Sequence, residues 1–133
     1  MLFINNDIVH EILTMEDCIR VQEEAFKQLP TGGAMHRPRI DMYMPCEREE
    51  GYFRWGSMEG ANDGFFAIRM KSDIITWPRD ENGNWTEDKF CREPGTYCGI
   101  IFLVSTENAE PLAFINDGNL QHMRVGGGAG IGV

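Results

Sequence analysis

The sequence predicts an α+β fold, with a pair of N-terminal helices packed on a mainly antiparallel sheet of five or six strands. Two observations carry that prediction. Apolar residues recur with a helical period up to Leu29, and the period drops to two from Met35 onward. Further along, a β-branched run and a second apolar run flank Thr106-Glu-Asn-Ala-Glu110, which is the arrangement of a hairpin.

Taken in order, Leu2-Phe-Ile4 is a short strand, and Asn6 caps a helical turn through Ile8, Val9, Ile12 and Leu13. Thr14-Met-Glu-Asp17 has the form of a capping box, with an acidic residue three positions after the threonine. The next helix spaces Cys18, Ile19, Gln22, Ala25, Phe26 and Leu29 along one face, and Pro30-Thr-Gly-Gly33 ends it. Ile40, Met42 and Met44 then alternate with Arg39, Asp41 and Tyr43 as far as Pro45. Polar residues 47–51 turn the chain into a strand beginning at Tyr52, and Ala61-Asn-Asp-Gly64 turns it again. Further strands are expected over residues 65–75, 96–104 and 111–116. Residues 78–95 read as a polar, turn-rich loop carrying Trp85, and loops of that length are commonly functional or disordered.

Residues 1–133 read as one domain, long enough to bury a core. A formal net charge of -9 and a pI near 4.7 argue against nucleic acid or an anionic membrane surface as partner. No apolar run approaches the roughly 18 residues of a membrane span, and the N-terminus lacks a signal-peptide pattern, so a cytoplasmic location is expected. Cys18, Cys46, Cys91 and Cys98 form no C-x-x-C pair and no paired histidines join them. They read as reduced thiols, with no metal site.

In an acidic chain, the cations on apolar strands draw attention. Strand parity puts Phe66, Ile68 and Met70 on one face of their strand, and Ala67, Arg69, Lys71 and Asp73 on the other. Two cations two residues apart repel unless an anion lies between them. One reading is a solvated face with Asp73 as counter-ion; the other is an anion clamp. Arg39 follows Pro38 at a strand start, Arg37 reads as solvent-facing, and Arg124 follows Asp117-Gly118 on a short amphipathic turn with Leu120 and Met123 packed down. Arginines so placed bind a carboxylate bidentately. Of the histidines, His10 and His36 suggest no role, and His122 lies beside the arginine turn. The glycine-rich run from Gly126 to Gly132 lacks the strand before it and the βαβ unit after it that a dinucleotide loop requires. Close helix packing against a further domain is the better reading of that run.

Pro38-Arg39, the Arg69/Lys71 strand, the hairpin, Asp117-Gly118 and then Arg124 resemble, in that order, the ornithine cyclodeaminase/mu-crystallin family. The resemblance covers essentially the whole chain and is most specific over residues 96–132. It implies a substrate-binding and dimerisation domain whose sheet is completed by its twin, with residues 125–133 leading toward a missing dinucleotide-binding domain. It places the substrate-binding cations at Arg39, Arg124 and either Arg69 or Lys71, the last two standing for the family's catalytic strand lysine. Thr96 and Arg124 would touch the cofactor, NAD(H) or NADP(H), held mainly by the absent domain. The implied activity is oxidation of an amino acid to an imine, with cyclisation and loss of ammonia, or reduction of a ketimine. The chain alone would be inactive, and its partners would be that substrate, a second copy, and possibly a separate Rossmann-domain chain. Val125 replaces the family's usual threonine, glycines replace its alanine- and serine-rich helix, and the loop at 78–95 is longer; these departures bear on the substrate rather than the fold. A non-catalytic small-molecule binder of the mu-crystallin type, or a structural dimer module, are the other readings.

Overall fold

The computed structural model describes residues 1–90 and 99–132. The fold is α+β, as the two periods indicate, with three helices and one seven-stranded mixed sheet among the described residues. Strand β1 (Leu2–Ile4) leads into α1 (Asn6–Ile12) and α2 (Met15–Gln28), followed by a 3-10 turn at Leu29–Thr31. Strands β2 (Ala34–Pro45), β3 (Tyr52–Asn62) and β4 (Phe65–Thr76) form an antiparallel meander, then come β5 (Asp88–Phe90), β6 (Ile100–Ser105), β7 (Pro111–Asn116) and α3 (Gly118–Ile131). The order across the sheet is β1-β7-β6-β4-β3-β2, with β5 added beside β4. β1 runs parallel to β7, and every other pairing is antiparallel. The sheet is open, with β1 and β2 at its edges, rather than closed into a barrel.

Local chemistry sets the helix starts. Asn5, one residue earlier than expected, caps α1 by accepting from the Ile8 amide at 3.0 Å. Thr14 caps α2: its hydroxyl accepts from the Asp17 amide at 3.1 Å and donates to the Asp17 carboxylate at 2.6 Å. Strand β5 falls within the stretch that the sequence assigns to loop. Its Asp-Lys-Phe has no apolar alternation, and only pairing with Ile74, Ile75 and Thr76 makes it a strand. Before it the chain folds back on itself, with Asp80 accepting from the amides of Asn82 and Asn84, and Arg79 stacked 4.1 Å from the centre of the Trp85 ring. Cys18 is buried and Cys46 half-buried, both as free thiols; Cys91 and Cys98 lie outside the described residues.

The glycine-rich run is helix, continuous with the turn that carries Arg124. Glycine is a poor helix former, so packing must compensate. A methyl group at Gly127 would come within 2.6 Å of Gln22 Nε2 and 3.5 Å of Ile19 Cγ1, so the small residue lets α3 close on α2 of the same chain. The N-terminal helices thus pack chiefly against α3, and α2 touches the sheet at β2.

Register separates the two faces of the sheet. One carries Phe66, Ile68, Phe102, Phe114 and, across β3 and β2, Trp55 and Met42. No helix of the described residues covers it, and Phe3, Phe114 and Phe102 stack there with ring centres 5.8 and 4.8 Å apart. The other face carries Ala67, Arg69, Lys71, Asp73 and Ile101, beneath α2 and α3 at one end.

Candidate functional site

The cations come together on the helix-covered face. Strand β2 has an irregularity between Arg37 and Ile40, where Pro38 withdraws its amide from the ladder. Beyond it the alternation is reset, so that Arg37 faces Glu59 on the open side while Arg39 and Asp41 point to the covered side. Arg37 is locked to Glu59 through both Nε and Nη2. That double hydrogen bond raises the basicity of Arg37 and lowers the Glu59 carboxyl below its ordinary value. Arg39 gives its Nε to Asp41 at 2.6 Å. The pair lies over the β3 backbone at Gly56, where a Cβ would stand 2.3 Å from the Asp41 carboxylate.

Arg69 projects from β4 under α3. Its Nε donates to Asp117 and its Nη2 to Gln121, so β4 is tied to the start of α3. Arg124, one turn further along the helix, approaches the same Asp117 oxygen at 3.6 Å. Burial lowers the basicity of the Arg124 guanidinium, Asp117 opposes that shift, and the neighbouring Arg69 adds to it. An arginine stays protonated regardless. Arg124 is therefore a cation whose charge is only partly compensated, about a third exposed, facing a cavity.

That cavity measures about 320 Å³ and is lined by Arg39, Met58, Ala67, Arg69, Ile101 and Arg124, with His36 and the Arg37–Glu59 pair at its wall. Arg39 is held through Nε alone and Arg69 through Nε and Nη2, an arrangement that leaves both Nη groups of Arg39 and Nη1 of Arg69 for an incoming anion. The volume is at the small end for ligand sites and suits a small amino acid. The three arginines expected to bind substrate share this one cavity.

Lys71 does not line it. It lies farther along the same face, bonded to Asp73 at 3.0 Å. Asp73 in turn takes a two-pronged bond from the buried Arg54, at 2.8 and 2.5 Å. Burial pushes the Asp73 carboxyl up, and the bonds from Arg54 and Lys71 outweigh it and hold the group below its ordinary value. Of the two strand cations, Arg69 thus faces the cavity and Lys71 the ion cluster. The counter-ion reading holds for Lys71, while Arg69 pairs with Asp117 instead. Thr96, the expected cofactor contact, lies outside the described residues.

Sequence reasoning missed three participants. His36 stands in the cavity wall, whereas His122 is exposed. Asp117 reads locally as half of an Asp-Gly turn, and nothing local singles out Gln121; both prove to hold Arg69. No group of three metal-ligating side chains occurs among the described residues. The glycines after Arg124 lie in helix, so they do not form a loop that cradles phosphate.

No protein-family model and no curated protein matches the chain. Solved structures do match. An archaeal alanine dehydrogenase dimer with bound NAD aligns over 98% of this chain at 18% identity, with a TM-score of 0.68. The Thermococcus litoralis Delta(1)-pyrroline-2-carboxylate reductase, in complex with NADH and L-proline, aligns over 98% at 20% identity, TM-score 0.65. A probable ornithine cyclodeaminase from Bordetella pertussis Tohama I aligns over 96% at 16% identity, TM-score 0.65. At these identities the likeness is one of fold. The chain spans about a third of their length, covering 35%, 36% and 33% of them respectively.

Proposed function

We propose that this chain is the substrate-binding and dimerisation portion of a nicotinamide-dependent enzyme of the ornithine cyclodeaminase type, acting on an amino acid or its cyclic imine. The observation that carries the reading is the convergence of Arg39, Arg69 and Arg124 on one cavity of amino-acid size. The neighbours in fold, one holding NAD and another holding NADH with L-proline, support the class of chemistry. The dinucleotide would be held by a domain outside this chain.

In this reading Arg124 and Arg69 receive the substrate carboxylate through the Nη donors not committed to Asp117 or Gln121, and Arg39 closes the opposite side of the cavity. Two-point binding of the carboxylate fixes the α-carbon and lowers the entropy cost of reaching the reacting geometry. Met58 and Ile101 add apolar walls against which the carbon skeleton of the substrate would pack. The nicotinamide, when bound, supplies hydride transfer at that carbon. In the same reading Arg124, half-buried at the cavity, would meet both the carboxylate and the cofactor.

The uncovered sheet face fits a second copy of the chain. The accessible surface is 9138 Å², against about 7,100 Å² for a compact monomer of 15.1 kDa. An excess of that order, with Phe3, Met42 and Trp55 exposed on this face, suits an obligate interface.

Calorimetric titration with L-proline, L-alanine and L-ornithine, each beside its carboxamide, tests the site. The acids are expected to bind and the amides to bind at least tenfold more weakly. Equal affinity for acid and amide would refute a carboxylate-binding cavity.

A further inference from the structure

Asp117 is an unusual carboxylate. It is fully buried at the first turn of α3, yet its side chain caps nothing. The capping work is done by others: Asn116 Oδ1 accepts from the Gly118 amide, and Asn6 Oδ1 accepts from the Asn119 amide, both at 3.0 Å. Thus freed, the carboxylate turns to the sheet. One oxygen, Oδ2, takes the Arg69 Nε–H and lies 3.6 Å from Arg124 Nη2. The other, Oδ1, has no hydrogen-bond partner among the described residues. A buried charged oxygen without a partner costs stability, and burying the pair repays that only in part. Arg69 is gripped a second time, through Nη2, by Gln121 Oε1. Neither Asp117 nor Gln121 lines the cavity.

We infer that Asp117 and Gln121 are positioning residues: together they fix the plane of the Arg69 guanidinium and hold Arg124 beside it, making the two arginines a preformed carboxylate receptor. This rests on the carboxylate site proposed above. The side chains act through geometry and against simple electrostatics. A negative charge beside the receptor weakens its pull on an anion, so its presence is useful only if it aims the donors. Arginine has several rotatable bonds, and an untethered Arg69 would lose rotamer freedom on every binding event. Gripping it at Nε and Nη2 places that loss in the folding of the protein instead.

The sign of one substitution separates aim from charge. Asp117→Asn adds one unit of positive charge to the site. If the carboxylate were only a neighbouring charge, the variant would bind L-proline more tightly. It is expected to bind about tenfold more weakly, and to lose the protection from solvent exchange that the bond to Asp117 is expected to give the Arg69 Nε–H in the wild type. Gln121→Met keeps side-chain length and helix propensity, removes only the second grip, and serves if Asp117→Asn fails to fold. It is expected to weaken L-proline binding about threefold to tenfold by calorimetry, with an unchanged melting temperature. Wild-type affinity or tighter in either folded variant overturns the inference while leaving the carboxylate site standing. Failure of the wild type itself to bind L-proline overturns both.

Discussion

Replacing Asp73 by asparagine is expected to destabilise this protein by about 3–5 kcal/mol, the usual cost of removing one partner from a buried ion pair. Arg54 and Asp73 side chains are 6% and 2% exposed, so neither can turn to water when the other is lost. Asparagine preserves shape and one acceptor, but it leaves the Arg54 guanidinium without its bonded anion and Lys71 without its partner at 3.0 Å. Against a total stability of about 5–15 kcal/mol, that is a large fraction. Denaturant unfolding at pH 7 measures it. The pH dependence gives an independent reading. The Asp73 carboxyl is held below its ordinary value, so its stabilising contribution is complete above about pH 4, where an unfolded aspartate is ionised. It is lost as pH falls through the lower, folded value. The variant should therefore show a flatter fall in stability on the acid side than the wild type.

The largest effect on binding is expected at Arg124. Arg124→Ala removes the cavity guanidinium with the loosest ion pair, since its contact with Asp117 is long and shared with Arg69. Loss of a charge-assisted bond to the substrate carboxylate should cost about 2 kcal/mol, roughly a thirtyfold rise in Kd. Stability should hardly change, because the side chain is about a third exposed and Asp117 keeps its bond to Arg69. Calorimetry with L-proline, beside thermal unfolding, distinguishes the two. Lys71→Ala offers the contrast: its ammonium serves Asp73 away from the cavity, so it should lose stability and keep affinity.

Features encoded locally were legible in the sequence. The Thr14–Asp17 capping box, the apolar stripe of α2 and the alternation of β2 and β4 each depend on residues within one turn or one strand. What escaped depends on partners distant in sequence. Parity places Arg69 and Lys71 on one face but cannot say which lies under a helix; α3, with Gln121 52 residues away from Arg69, makes that distinction. Asp117 reads as a turn residue because nothing nearby reveals that Asn6, 113 residues from Asn119, takes over part of the capping. β5 exists only through its pairing with β4. The glycine run reads as a surface for close helix packing, but its partner at Gly127 is α2 of the same chain rather than a further domain, and nothing local reveals that.

The central claim is that three arginines from β2, β4 and α3 form one receptor for a carboxylate. It is tested most directly by the side-chain Nε–H resonances of the protein labelled with ¹⁵N-arginine, followed during titration with L-proline. The expected result is that the signals of Arg39, Arg69 and Arg124 move together along one binding curve, while Arg54, bonded within its own ion pair, stays still. Movement at Arg54 or Arg37 in place of these three, or no movement while L-proline binds elsewhere, would contradict the account.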